Sequence, residues 1–486
     1  MARPKIIPVN KEREFGIEEL FFSCTDNKGI IKSGNSVFTR ISGYDSADMI
    51  GKPHNMIRHP DMPACVFKLL WDYLEAGKPI AAYVKNMAKT GEFYWVVATA
   101  CPIENGYLSV RLKPSSALFA LIPTVYADLR AIEQKAEDAG ETRKSAMVKS
   151  TNRLLEILAS KGFAGYDDFM QYLLLEEIRS RHQTMQGLSS GLSSGLSSNA
   201  NSVTTPSVAK VGQATGVDKI SQYLGSLNNC CSGIREQLLT IFSDVDTFLE
   251  LNTAVRKKSD FLLKLAQNIR LLSLNAIIAA EKLLDEGRGL GTVADLMSHD
   301  SNGCTHIIAE LKKDIDTLAP HLRGIAFQLS TSNIQTESAL DFIREMSKNN
   351  KDGIKEDPAD SFNVQTLLAC VSHSSRSVFE ALTHVYEGLN KMLTKLDLLG
   401  SGLRTLELVH VTGKVEAARV NKAQAFVTIF DELLLQVVNA RKELDQFSAA
   451  VNTTTIRMRS FPEIKSEVMG LLHESSSITA DRVGQE

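Results

Sequence analysis

The sequence predicts a multidomain chain, a small α+β domain followed by an all-α antiparallel coiled coil. Three observations predict it. At 486 residues the chain exceeds the ~250–300 residues that one hydrophobic core usually organises. The aromatic residues are uneven, with both tryptophans, Trp71 and Trp95, in the first hundred positions. The apolar spacing also changes along the chain, from alternation near the N-terminus to steps of three and four beyond residue 218.

The first segment, 1–115, reads as strands and short helices. FFSCTDNKGIIKSGN carries two apolar runs around Asp26-Asn27-Lys28-Gly29, a hairpin signature. Phe38–Ile50 and Ala64–Leu74 read as short helices, with Pro60 and Pro63 breaking the chain between them. PIAAYVKNM, EFYWVVATACPI and YLSVRL then read as three strands separated by Lys89-Thr90-Gly91 and Asn105-Gly106 turns. Alternation within them fits strands with one face on a core. Two strands, short helices and three strands is the element order of a PAS domain.

Residues 116–182 switch to amphipathic helices (LIPTVYADLRAIEQKAE, NRLLEILASKGF, MQYLLLEEIRSR), with Gly162 and Gly165 as stops. They read as a connector that carries a signal out of the head. Residues 183–217 contain GLSSGLSSGLSS and SNANSVTTPS, which offer no core and predict a flexible linker.

From 218 to 475 the apolar residues fall on heptad seams. One runs through 262, 265, 269, 272, 276, 279 and 283, another through 426, 430, 433, 437, 440, 444, 447 and 451. The predicted units are a hairpin at 218–347, a loop at 348–360, a second hairpin at 361–475 and a tail at 476–486. Hairpin tips are expected near 286–289 and 420–423, and a kink at Pro320.

Composition narrows the function. Lys and Arg total 54 and Asp and Glu 57, a net charge of −3, which argues against a nucleic-acid binder. The seven cysteines show no CxxC, and the N-terminus shows no apolar signal region, so a reduced cytoplasmic location is expected. FLLKLAQNIRLLSLNAIIAA is the most apolar stretch, but Lys264 and Arg270 make it costly in lipid, so no membrane insertion is expected. There is no Walker A, GxSxG, HExxH or kinase signature, and no metal-ligand spacing. An enzyme is not expected.

Three motifs stand out. Within GKPHNMIRHPDMP (51–63), Arg58, His59 and Asp61 form a polar cluster between prolines. It could grip an anionic, hydrogen-bonding ligand, with Phe67, Trp71 and Trp95 as apolar walls, or it could be a capped surface turn. The second motif is LLSLNAIIAAEKLLDEGRGLGTVAD (271–295). The third, VEAARVNKAQAFVTIFDELL (415–434), contains Glu416-Ala417-Ala418-Arg419, Phe426 and Asp431-Glu432.

Residues 20–112 resemble the PAS domain of bacterial aerotaxis receptors, most specifically in NMIRHPDMP, SGYDSADMIGKPHN and KNMAKTGEFYWV. The resemblance implies a non-covalent FAD that reads redox state or oxygen. It implies cofactor contacts from Arg58, His59 and Asp61, with Asn35 and Phe67 at matching positions and Trp71 beside them. One departure is Ile80, where that family has a tryptophan implicated with the flavin. The second motif resembles the hairpin tip of methyl-accepting chemotaxis proteins. That implies a chemoreceptor-like four-helix bundle binding the histidine kinase CheA and the adaptor CheW, through Leu274, Asn275, Ile278 and Arg288. The tip glutamate of that family is Ala279 here. The third motif resembles the same tip and supplies Glu416, Arg419 and Phe426, which suggests an internal duplication; recurrence by chance in Ala/Glu-rich helices is the alternative. With a duplication, one chain could build all four helices without self-association. Gln335 and Thr336–Ala339 are only a weak approach to a methylation site. The leading reading is a soluble redox or oxygen sensor of chemotaxis type. The alternatives are a degenerate PAS–coiled-coil scaffold and a haem or other-ligand sensor that no longer engages the kinase.

Overall fold

The structure, a computed structural model, describes residues 6–193, 216–282, 288–352, 358–420 and 423–483. The chain forms two compact units. One comprises Met1–Phe242, Ala326–Ser377 and Lys465–Glu486, the other Ser243–Ile325 and Val378–Ile464.

The first unit is organised by a five-stranded antiparallel sheet. Strands β1 (Phe21–Thr25) and β2 (Ile31–Gly34) form the expected hairpin. Its turn is held by the Asp26 carboxylate, which accepts from the backbone N–H groups of Lys28 and Ile30. Gly29 adopts φ +73°, which strains any other residue, and the Trp71 ring packs so closely that a side chain there would crowd it. Helices α1 (Ser36–Ser42), α2 (Ser46–Met49) and α3 (Ala64–Glu75) follow, then β3 (Ile80–Met87), β4 (Phe93–Ile103) and β5 (Gly106–Leu112). The strand order is β2-β1-β5-β4-β3. The α+β head followed by a long helical region is the predicted fold class.

One expectation fails in an informative way. The strands were expected to bury one face, yet β1 is buried at every position and β3 nearly so. The second face is covered by later segments of the same unit. Phe22, Cys24, Leu108 and Val110 pack with Phe342, Ile343 and Leu367, and Tyr83 and Trp95 pack on Phe119.

The connector forms α4 (Ile122–Asp138), α5 (Arg143–Ser160) and α6 (Tyr166–Ser193). Helix α6 continues past the predicted boundary at 182; most of the predicted linker, 194–215, lies outside the described residues. Two acidic or basic side chains on α6 are fully buried. Glu177 accepts from Tyr83 Oη (2.5 Å), Ser115 N (2.6 Å) and Ser116 N (3.0 Å). Arg181 forms a bidentate pair with Glu337 (2.9 Å on both nitrogens) and donates to the Ile17 and Glu18 carbonyls.

Helix α7 spans Gly216–Phe242, α8 Val245–Glu281, α9 Arg288–Lys351, α10 Pro358–Ala417, α11 Gln424–Arg457 and α12 Phe461–Val483. Half of each expected tip, 286–287 and 421–422, lies outside the described residues; of the predicted 348–360 loop, 353–357 do, whereas 348–351 end α9 and 358–360 open α10. Helix α9 runs through Pro320 without a break. Its residues 331–340 are all buried, so they belong to the first unit's interior and present no heptad seam. That removes Thr336–Ala339 as a methylation site, because an adapting enzyme needs exposed side chains.

The second unit is an antiparallel four-helix bundle built from one chain. Helices α8 and α11 are joined by Lys258–Glu443 and Arg457–Asp244 ion pairs. Lys395 on α10 pairs with Glu310 and Asp314 on α9, and Arg441 on α11 pairs with Glu407 on α10. The eight predicted seam positions of α11, from Phe426 to Val451, are buried as expected. In α8 the seam shifts. Ser273, Ala276 and Ala280 are buried, and Leu272 and Ala279 are only partly so.

Candidate functional site

The N-terminal head encloses a cavity of about 120 Å³ between the sheet and α3. That is below the ~300–1,000 Å³ of most small-molecule sites, so a larger ligand requires lining side chains to move aside. Helix α3 supplies Phe67, Leu70, Trp71 and Leu74, and the sheet supplies Ser23, Val84, Asn86, Ala98, Ala100, Tyr107 and Arg111. Alternation places Tyr107, Ser109 and Arg111 of β5 on this face and turns Leu108 and Val110 away.

Arg111 is the chemical centre of the cavity. It is 3% exposed, and no carboxylate pairs with it among the described residues. It donates to Ser23 Oγ (3.0 Å) and to His54 Nε2 (2.7 Å). Because a guanidinium only donates, His54 Nε2 accepts and the imidazole proton sits on Nδ1. Burial, and then the charge of Arg111, push the His54 pKa well below its usual range, so it is neutral. Burial brings Arg111 down to about 10, leaving it charged near neutrality. Asn86 adds a buried side-chain nitrogen with no protein partner. An uncompensated cation, an unpaired amide donor and aromatic walls suit a flat ligand with electron-rich oxygens or nitrogens, which an isoalloxazine ring provides.

The six predicted cofactor residues separate into groups. Arg58 lines the cavity; its guanidinium lies 4.2 Å over the Phe67 ring and donates to the Met62 carbonyl (2.7 Å). Phe67 and Trp71 line it as expected, Trp71 meeting Tyr107 edge-on. His59 and Asp61 do not line this cavity. The buried His59 ring accepts from the Asp61 N–H (3.2 Å), and the exposed Asp61 carboxylate pairs with Lys85 (2.7 Å), so together they fix the turn to β3. Asn35 is likewise committed elsewhere, capping α1 through Phe38 N and bridging Phe22 N and Leu20 O. Ile80 is buried in β3 opposite Ala100.

His54, Asn86 and Arg111 were missed by motif reading. His54 stands inside the GKPHN string. Arg111 shares the polar phase of β5 with Ser109, which alternation alone assigns to solvent, so no sequence signal marks it as buried.

Arg58 also borders a second, more open cavity with His59, Arg130, Glu133, Glu137 and Arg143. There Glu133 of α4, 1% exposed, accepts from Ala64 N (2.8 Å), Cys65 N (2.9 Å) and Ser150 Oγ (2.8 Å). Helix α3 follows Pro63 and has no side-chain cap of its own. A carboxylate from the connector therefore does the capping, at the helix end where the dipole favours negative charge.

At the bundle tip, Leu274 and Ile278 are 52% and 44% exposed, and Asn275 is exposed beside them. Arg288 opens α9, and Glu416 pairs with Arg419 (3.2 Å) at the end of α10. Any side chain at Gly289 would strike Glu416, so the two tips are adjacent. Phe426 is corrected. It is 1% exposed, with its ring tilted against Phe430 at 6.0 Å between centroids, and belongs to the bundle core rather than to a contact surface. Leu271, Leu296, Leu408, Val411, Val415, Leu435 and Val438 extend the exposed apolar surface. By length and composition, Asp260–Glu281 could cross a membrane; here it packs in the bundle.

Residues 32–109 match the PAS fold family. The aerotaxis receptor of Escherichia coli (strain K12) is 38% identical over 127 residues, which cover 25% of this chain and 24% of that receptor. The chain thus matches about a quarter of the length of this curated relative. Among solved structures, a Colwellia psychrerythraea PAS domain is 21% identical, covers 19% of this chain and 85% of that one, and has a TM-score of 0.17. A fungal LOV-domain photoreceptor is 18% identical, covers 23% and 81%, and also scores 0.17. The N-terminal head has a PAS fold and is similar in sequence to part of that aerotaxis receptor.

Proposed function

We propose that the chain is a redox or oxygen sensor whose PAS cavity holds FAD and whose helical bundle regulates a histidine kinase. The observation that carries this reading is the buried, uncompensated Arg111 beside neutral His54. A bound flavin supplies reversible electron uptake, which adds negative charge to the ring system. Arg111 offers a fixed cation to such charge, and burial strengthens that interaction. Ligand-state contacts at Arg58, Phe67 and Trp71 bear on α3, and Glu133 ties the start of α3 to the connector. Helices α9 and α10 contribute to both units, which gives a signal a continuous covalent route into the bundle.

The exposed tip residues Leu274, Asn275, Ile278, Arg288 and Arg419, with the half-buried Glu416, are the proposed contact for CheA and CheW. The absorption spectrum of the purified chain tests the cofactor. Flavin bands in the blue are expected, and Arg111→Ala should release the chromophore or shift its reduction potential to more negative values. A Soret band, or no chromophore after incubation with FAD, would replace this reading with the haem-sensor or scaffold alternative. Pull-down of CheA and CheW by the full chain tests the partner, with Ile278→Asp expected to abolish it.

A further inference from the structure

We propose that Cys101 and Cys370 form a peroxide-responsive dithiol pair that closes to an intramolecular disulfide, locking the PAS sheet to α10. The two residues are 269 positions apart, yet their sulfurs lie 3.9 Å apart. A disulfide is ~2.05 Å long, so closure needs an approach of about 2 Å.

The surroundings distinguish the two thiols. Cys101, on β4, is the one cysteine that is not buried. Its sulfur accepts a hydrogen bond from Gln335 Nε2 (3.2 Å). Ser374 Oγ donates to Gln335 Oε1 (2.9 Å), which turns the amide so that its nitrogen faces the sulfur. The Cys101 sulfur also donates to the Leu108 carbonyl (3.7 Å), and on losing its proton the thiolate is the nucleophilic form. Hydrogen bonding to Cys101 and burial push Cys370 well above the usual thiol range, so it stays protonated beside its partner. Both thiols and His373 line one cavity, which gives a small oxidant access. Elsewhere burial raises the cysteines: Cys65, Cys230 and Cys304 to about 11, Cys24 and Cys231 to about 12. Those thiols are poor nucleophiles near neutral pH.

The chemistry balances with hydrogen peroxide as oxidant. The Cys101 thiolate attacks one peroxide oxygen and the O–O bond breaks. Hydroxide leaves and takes up a proton to become water, and Cys101 becomes a sulfenic acid. Cys370 then loses its proton and attacks the Cys101 sulfur. The S–O bond breaks, a second water leaves, and the S–S bond forms. Two thiols have been oxidised and one peroxide reduced, and a dithiol reductant reverses the step. The face of β4 that carries Cys101 points away from the ligand cavity, so the pair does not depend on bound flavin.

The test uses the full, reduced chain treated with one equivalent of hydrogen peroxide. Titratable thiols should fall from seven to five, and a non-reducing digest should yield one linked peptide pair joining Cys101 to Cys370. Dithiothreitol should restore all seven. In Cys370→Ser, dimedone should trap a sulfenic acid on Cys101. In Cys101→Ala, checked for retained helicity, both the link and the adduct should be lost. Linkage through other cysteines, a disulfide between chains, unchanged thiols, or equally fast oxidation of Cys101→Ala would overturn the proposal.

Discussion

The two units bury different things. The bundle core is a periodic apolar seam, and its named ion pairs lie at its surface. The PAS-containing unit instead buries whole charges: Arg111, Arg181, Glu133, Glu177 and Glu337 are all under 9% exposed. A seam repeats every seven residues and tolerates local change, whereas a buried charge depends on a few partners from distant segments. The difference teaches that the bundle is a regular framework and that the first unit holds the specific contacts between charges and distant partners.

Arg181→Ala should break this comparison most severely. It leaves the Glu337 carboxylate with only the more distant Arg235 (3.9 Å) and frees two backbone carbonyls, a loss of about 3–5 kcal/mol. Urea denaturation followed by far-UV circular dichroism should show an early transition; an unchanged midpoint would mean that the pair contributes nothing. Leu433→Ala, on the bundle seam, should lose ~2–5 kcal/mol, whereas Leu435→Ala, 54% exposed two residues away, should stay within ~0.5 kcal/mol. Equal effects would dissolve the distinction between seam and surface.

Glu133→Gln keeps the shape of the cap but removes its charge, and should cost about 1–2 kcal/mol. Hydrogen exchange at the Ala64 and Cys65 amides should quicken in this variant, while exchange in α11 stays unchanged.

Acid titration separates two groups of opposite sign within the first unit. His54 is held neutral by burial and by Arg111, with Ser23 and Asn86 as further neighbours at the cavity. Below about pH 6.5 the unfolded chain gains a proton that the folded one refuses, so stability falls with falling pH; His54→Gln should remove that slope. Asp341 is raised from 3.8 to about 6 by burial and Glu337, against the lowering charges of Arg344, Arg181 and Arg235. Here the folded state holds the extra proton. Its contribution is present below about pH 4 and lost as pH rises through about 6. Asp341→Asn should therefore gain stability at pH 7, by less than ~1 kcal/mol because the side chain is 37% exposed.

Much of the fold was legible because it rests on local or periodic signals. Asp26 and Gly29 announce the first turn, Phe426 to Val451 announce a seam, and alternation between turns announces the strands, though not the pairing of β1 with β5. The candidate site was half legible. Arg58, Phe67 and Trp71 lie in or near a distinctive string, but His59, Asp61 and Asn35 share that neighbourhood and are used for turns and caps. A motif reports which residues are unusual, without reporting whether a side chain faces a cavity or a backbone amide.

Sequence by itself determined a PAS-type head, a helical remainder and the spacing of the bundle's apolar seam. Tertiary structure alone decided that residues 331–340 are enclosed within the first unit, that Glu133 caps α3, and that Cys101 meets Cys370. The physical reason is sequence separation. Periodicity sets which face of one element is apolar, but a buried charge or thiol is satisfied by a partner tens or hundreds of residues away, and only the folded chain brings the two together.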